Sequence, residues 1–434
     1  MTKPRIFSFL LLATLVVGAS QITACTAQAE SSWEAVDDIT NAAHERHESA
    51  FVQAGGRYYM IGGRGMKPID IYDPASNSWS QGKVPPIELH HFQAVEHDGL
   101  IYVIAALSGP YPFEVPSSHI YIYDPLQDRW MTGPEIPPQR RRGAAGVTEY
   151  NGKIFVVAGI VNGHTSGWVP WLDEFDPVSN SWRQLADAPR SRDHFQAAMI
   201  DGRLYAAGGR RSGYDESMVF AATVAEVDVY DMESDSWATL PASANIPTQR
   251  AGVTAVAVNG ELLVLGGESP AQETAHKEVE AFSPADNTWR SLAPLLTPRH
   301  GTQVIANSDG LFVSGGCARR GGEPEVVALE RLAIKIDTVA QEQALQAGRL
   351  ELQSSQDIGG GRYRVEVANH GGNQALLLST ALAVGGAAVE IDQALPIILA
   401  PGGSVSINVS GVSDDDTLIL KSLQYGLAPL SISF

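Results

Sequence analysis

An aromatic residue, an acid and a tryptophan recur along this chain at a fixed internal distance. Tyr72-Asp73…Trp79, Tyr123-Asp124…Trp130, Phe175-Asp176…Trp182, Tyr230-Asp231…Trp237 and Phe282-Ser283…Trp289 make five copies, and in each the Trp follows six positions after the residue next to the aromatic. Constant spacing is what two strands joined by a hairpin of constant length require. Upstream of each copy stands a pair of small residues: Gly62-Gly63, Ala105-Ala106, Ala158-Gly159, Gly208-Gly209 and Gly266-Gly267; a sixth pair, Gly315-Gly316, has no Trp after it. Turn pairs Asp98-Gly99, Asn151-Gly152, Asp201-Gly202 and Asn259-Gly260 begin seven residues before four of these. Each repeat therefore reads as four short strands with tight turns. The period of roughly fifty residues points to a repeat architecture.

The double glycine, the aromatic-Asp and the spaced Trp together resemble the kelch repeat, over residues 33 to about 336. Ala105-Ala106 departs from the double glycine, and Ser283 from the acid. The resemblance implies blades of a β-propeller, a fold that protects its sheet edges by radial closure. Six small-residue pairs, and six tryptophans once Trp33 is added, predict six blades, with Trp33-Glu34-Ala35-Val36 supplying the outer strand of the last. The expected fold is all-β: a six-bladed kelch propeller closed by an N-terminal strand (30–336), a linker (337–348) and a β-sandwich (349–434) read from the runs Ser404–Val409, Thr417–Leu423 and Leu430–Phe434 between Gly and Pro turns. The stretch Asn369-His370-Gly371 through Leu399-Ala400-Pro401-Gly402 resembles immunoglobulin-like modules, which implies that kind of sandwich.

Residues 1–29 read as a signal peptide. Lys3 and Arg5 precede an apolar run from Ile6 to Ala19, too short to span a bilayer. Two cleavage readings stand: Ile22-Thr23-Ala24-Cys25 resembles a lipobox that would make Cys25 a lipidated first residue, and Ala27-Gln28-Ala29 is an A-x-A site. Either predicts an exported protein, periplasmic, secreted or held at the outer membrane, meeting membrane only through a lipid anchor. The two cysteines exclude a disulfide scaffold, and Cys317 stands alone. A net charge of −19 makes nucleic acid a poor partner. Asp414-Asp415-Asp416 reads as a solvated acidic turn.

Function is expected where loop length varies. From the second residue of the small pair to the aromatic the offset is 9, 17, 16, 21 and 15 positions, whereas the aromatic-to-Trp hairpin never changes. Sixteen positions before the small pair lie Arg46, Leu89, Arg142, Arg192, Arg250 and Arg299; fourteen before lie Glu48, His91, Ala144, His194, Gly252 and Gly301; twelve before lie Ala50, Gln93, Gly146, Gln196, Thr254 and Gln303. Strand alternation puts these three positions on one side, expected to face the channel. The variable loops add Tyr111, Glu114, His164, Trp168, Trp171, Arg210, Arg211, Tyr214, Glu268, His276, Arg319 and Arg320.

Twelve arginines (46, 64, 140, 141, 142, 192, 210, 211, 250, 299, 319 and 320) fall on this face, and the planar guanidinium suits carboxylate or sulfate. The leading expectation is an acidic oligosaccharide bound by Arg142, Arg192, Arg250, Arg299, Arg210, Arg211, Gln93, Gln196, Gln303 and His164, with Trp168 and Trp171 stacking on sugar. Processing by β-elimination or epimerisation would use His91 or His194 as base and Tyr111 as acid. Against this stands a structural reading of the arginines as braces between strands and of the His-x-Gln pairs as hydrogen-bonding groups. A kelch propeller presenting its loops to an acidic protein segment is the alternative function. Galactose oxidase joins similar domains, but its copper site needs residues this chain does not pattern. Histidines 91, 194 and 300 show no metal-ligand spacing, so neither metal nor cofactor is expected.

Overall fold

The computed structural model describes residues 1, 32–213, 220–337, 345–383, 389–412, 416–424 and 427–434. The export segment with Cys25, the loop residue Tyr214, Asp414, Asp415 and most of the expected linker lie outside the described residues.

Residues 33–332 form six four-stranded antiparallel sheets among the described residues. The first is Ser49–Ala54, Arg57–Gly62, Asp70–Asp73 and Ser78–Gln81, each strand paired with its predecessor. Sheets two to five repeat this order within 94–135, 146–184, 197–239 and 254–291. The sixth joins Val304–Asn307, Gly310–Val313 and Glu330–Leu332 to Trp33–Ala35, with Trp33 opposite Leu332.

The fixed aromatic-to-Trp spacing has a direct physical cause. Tyr72, Tyr123, Phe175, Tyr230 and Phe282 sit opposite Trp79, Trp130, Trp182, Trp237 and Trp289 across the outer hairpin. Their ring centroids lie 5.0–5.4 Å apart, the range of favourable aromatic pairs. The acid after the aromatic shapes the turn: Asp73, Asp124, Asp176 and Asp231 each accept the backbone N–H two residues on. Indole N–H groups then bind the chain leaving the preceding sheet, as in Trp289 to the Ala244 carbonyl, Trp237 to Ala186 and Trp33 to Ala293.

Arg142, Arg192, Arg250 and Arg299 are buried inside their own sheets and do not form a ligand-binding ring. Each donates to the carbonyl of the first residue of its small pair, Ala158, Gly208, Gly266 or Gly315, and each pairs with an acid on the third strand, Asp173, Asp228, Glu280 or Glu330, at 2.6 Å. Arg46 does the same with Gly62 and Asp70. A guanidinium that enters this space must be paired, because an isolated buried charge is prohibitively unstable.

At the start of the inner strands the backbone itself links the sheets. Glu48, His91, Ala144, His194, Gly252 and Gly301 all have positive φ, from 51° to 67°. His91 N–H donates to Glu48 C=O, Ala144 to His91, His194 to Ala144, Gly252 to His194, Gly301 to Gly252, and Ser49 to Gly301. This hydrogen-bond circuit visits all six sheets and returns to the first.

Residues 349–433 form two further four-stranded sheets, built on Arg362–His370 and Leu376–Ala383, that share one apolar core including Val365, Leu378, Ile407 and Leu420. They rest on the far end of the second sheet's inner strands. The Gln374 amide donates to Gly99 C=O at 3.1 Å and to Asp124 at 2.9 Å, and Leu377 and Ile398 enter the apolar cluster of Tyr102 and Ile122.

Two substitutions should separate bracing from strain. Arg250→Ala leaves Glu280 buried without its partner and should cost about 3–5 kcal/mol by chemical denaturation. Ala144→Gly relieves a left-handed backbone and should gain about 1 kcal/mol. A loss below 1 kcal/mol for Arg250→Ala would show that the arginines are not structural braces.

Candidate functional site

The inner-strand starts and the long loops of sheets two to six enclose a cavity of about 770 Å³. Its walls include His47, Glu48, Arg64, His91, Tyr111, His164, Arg210, Phe220, Glu268, His300 and Arg320. The backbone circuit presents Glu48 and His91 to it. His164 arrives from the tip of the hairpin Ile160–Asn162/Ser166–Trp168, which the neighbouring loop holds: Pro112 C=O accepts the His164 N–H at 3.0 Å. Gly163 is needed there, since a Cβ would come within 2.6 Å of Glu114.

His91, His164 and His194 are buried together, each offering one ligand nitrogen within 4.8 Å of the others. Behind each lies a partner. His164 Nδ1 is 3.0 Å from Glu114, His194 Nδ1 is 2.5 Å from Asp193, and His91 Nδ1 is 2.6 Å from His90 Nδ1. His90 Nε2 meets the Gly109 carbonyl at 3.2 Å and must donate to it. Burial and then the nearby Arg64 push the His90 pKa down to about 4, so that ring is neutral and its Nδ1 accepts from His91. Burial also drives His91 well below the usual imidazole range and lowers His164, although Glu114 opposes the latter.

The acids run the other way. Burial disfavours the Glu114 charge, but hydrogen bonds from His164 and Arg64 outweigh it and hold the carboxyl at about 2. Glu268 also stands at about 2: burial is overcome by His300, Arg210 and the Gly321 N–H. Asp193 is lowered by His194, Arg210 and Ser212 against its own burial, and accepts from Ser212 N–H at 2.9 Å and Oγ at 2.6 Å.

The mouth is therefore much less basic than its arginine count suggests. Of the twelve arginines, only Arg211, Arg319 and Arg320 lack a carboxylate partner among the described residues. Arg210 lies in the cavity wall but is tied to Glu268, and Arg64 to Glu114. Arg320 packs on Phe220 at 5.0 Å. The three glutamines are also spoken for. Gln93 brackets Ala197 N–H and C=O at 3.0 Å each, Gln303 brackets Ala94 at 3.1 and 2.9 Å, and Gln196 joins Thr302 C=O to Thr254 and Ala255. They tie alternate sheets to one another, so they are structural and not ligand contacts.

Trp171 packs under Arg140 at 4.4 Å instead of standing open for stacking, whereas Trp168 is 39% exposed and donates its indole N–H to Ser212. Tyr111 lines the cavity, its ring 5.1 Å from His164. His300 binds the Arg319 and Gly321 carbonyls and does not join the histidine cluster. Asp193 was missed by sequence reasoning, and Glu114 entered it only as a loop acid. Asp193 directly precedes His194, a signal available in the sequence; nothing there joins Glu114 to His164.

The KLHDC2/KLHL20/DRC7 Kelch-repeats domain family matches residues 93–316. The chain belongs to the kelch-repeat family, and its all-β architecture agrees. It is 24% identical over 302 residues to Kelch-like protein terF of Aspergillus terreus, covering 65% of this chain and 64% of that protein. It is 26% identical over 187 residues to Kelch-like protein 40 of Xenopus tropicalis (41% and 29%), and 23% identical over 284 residues to human Kelch-like protein 23 (64% and 47%). The matches thus span less than two thirds of these relatives' own lengths. The solved structure of YjhT superposes with a TM-score of 0.56 at 13% identity, covering 67% of this chain and 96% of that one, a likeness of propeller-type fold.

The depressed carboxyls fix a pH dependence. A carboxyl whose folded pKa lies below its unfolded value adds stability above the unfolded value and loses it as pH falls through the folded one. Glu114 and Glu268 drop from 4.5 to about 2, so stability should decline as pH falls from about 4.5 to about 2. Glu268→Gln should lower stability at neutral pH and flatten that decline; an unchanged acid limb in denaturation series would refute this account.

Proposed function

We propose that this kelch-repeat protein is an interaction module that docks a partner protein on the face bearing the cavity. In this reading the six sheets are the blades of one propeller closed by the strand Trp33–Ala35. The two carboxy-terminal sheets are an immunoglobulin-like sandwich set at the far end, leaving the docking face free. The apolar amino-terminal run supports export, with Cys25 a lipid anchor if the lipobox is used. One observation carries the docking assignment: Tyr111, Phe113 and Val115, exposed by 51%, 66% and 61%, crown the loop beside the cavity. Exposed aromatic and apolar groups at a rim are the usual anchors of an interface. Family membership supports the same reading, since kelch domains typically mediate protein–protein contacts. Arg320, without a carboxylate partner among the described residues, gives the face a preference for an acidic side chain.

The cavity volume favours one second reading. About 770 Å³ lies within the range of small-molecule sites, so a sugar acid could occupy it against Arg320 with Trp168 and Tyr111 at the rim. Its processing would fall to His91 and Tyr111, which line the cavity, while His194 lies behind them.

A photo-crosslinking residue at position 113 distinguishes the two. Docking predicts a discrete protein adduct in native membranes or culture, lost in the Tyr111→Ala/Arg320→Glu variant and absent with the crosslinker at Glu34 on the outer strand. No adduct at position 113, together with saturable calorimetric heat from acidic but not neutral oligosaccharides, would overturn docking for the sugar reading.

A further inference from the structure

The histidine cluster carries an inference independent of what docks above it. Its hydrogen bonds fix the tautomers. Glu114 accepts from Arg64 and from the His164 backbone N–H, so as an acceptor it takes the proton of His164 Nδ1; Asp193, accepting from Ser212, fixes His194 in the same way. The Gly109 carbonyl commits the His90 proton to Nε2, which makes His91 the donor at Nδ1. A neutral imidazole with Nδ1–H has a bare lone pair at Nε2. With both rings in that neutral tautomer, His164 Nε2 and His194 Nε2 face each other at 2.9 Å as two lone pairs, a contact that only a shared proton or a metal ion makes favourable. Two lone pairs at that distance repel, and a positive ion relieves the repulsion.

We propose that His91, His164 and His194 bind a divalent transition-metal ion of the zinc type, with a coordination position left toward the cavity. Three neutral imidazoles with one open position is the donor set of catalytic zinc sites, and carboxylates on the far ring nitrogens are their usual support. Zinc–nitrogen bonds of about 2.0–2.1 Å set tetrahedral ligand nitrogens about 3.3 Å apart. The 2.9 Å pair, with the third nitrogen within 4.8 Å, brackets that separation, so small ring rotations complete the set. His91 and His164 line the large cavity, while His194 and His91 line a narrower space of about 30 Å³, so the cluster lies between the two. The arrangement is built and not incidental: Glu114 and His164 come from loops of different sheets, and Asp193 is locked by Ser212 before it meets His194. Glu114 and Asp193 act here as positioning residues, orienting rings without touching the metal.

The test is metal binding by the purified, chelator-stripped protein. We expect one zinc per chain by titration calorimetry and elemental analysis, and the intense visible absorption of a four-coordinate ion when cobalt(II) replaces zinc. His164→Gln and His194→Gln should each weaken zinc binding at least about 100-fold, and Glu114→Gln about 10- to 100-fold. The wild-type cobalt spectrum needs no variant and so stands even if a substitution disturbs folding. Absence of stoichiometric zinc in the wild type, a cobalt spectrum of six-coordinate type, or unchanged affinity in the folded histidine variants would overturn the assignment and leave a shared proton between His164 and His194.

Discussion

The structure depends on one main-chain circuit. Six N–H···O=C bonds join residue 48 to 91, 91 to 144, 144 to 194, 194 to 252, 252 to 301, and 301 back to Ser49. They form only because each position takes a left-handed backbone, which turns its peptide toward the neighbouring sheet instead of along its own strand. Glycine accepts that conformation freely, and Gly252 and Gly301 do so. A side chain there costs on the order of 1 kcal/mol. Glu48, His91 and His194 bear that cost at the positions that bring a carboxylate and two imidazoles to the site, a place where strain accompanies function. At Ala144 the same strain carries no functional group.

Below the circuit, a sixfold repeat is stitched with threefold symmetry. Gln93, Gln196 and Gln303 come from the second, fourth and sixth sheets, while Ala50, Gly146 and Thr254 occupy the same position in the odd ones. Each long amide reaches the backbone of the sheet two places on, and the small residues between leave room for it. The three glutamines pair buried N–H and C=O groups that would otherwise lack a partner, and Thr254 adds to the stitching by accepting from Val304 N–H and donating to Gln196. The stitched zone lies between the cavity and the end where Gln374 docks, so chemistry at one end and the carboxy-terminal sheets at the other occupy separate surfaces.

Much of this was legible in the sequence where a residue's role repeats. The aromatic-to-Trp spacing reads out as a stacked cross-strand pair, and the arginine sixteen positions before the small pair reads out as a brace. Its acid was readable too, because Asp70, Asp173, Asp228 and Glu280 each stand two residues before the aromatic. The one repeat that breaks the rule breaks it whole: the second sheet has Leu89 for Arg, Tyr121 for the acid and Ala105-Ala106 for the glycines, an apolar set replacing a polar one. Roles that do not repeat stayed hidden. His164 lies between Gly159 and Phe175 and Glu114 between Ala106 and Tyr123, stretches of unequal length in which no shared register relates one to the other. Their contact follows from tertiary packing at Pro112 and Gly163.

Counting arginines misled because it counted charge without its partner. Burying a guanidinium is tolerable only beside a carboxylate, so a chain of this acidity pairs almost every arginine it brings inward. What gives the mouth its chemical character is instead the second partner of each ring. A carboxylate behind an imidazole draws the proton to Nδ1 and leaves Nε2 electron-rich toward the cluster; a carbonyl behind His90 passes the same instruction through one more ring to His91. The acids that neutralise the arginines thus belong to the scaffold, while Glu114 and Asp193, of the same residue types, decide what the histidines can hold.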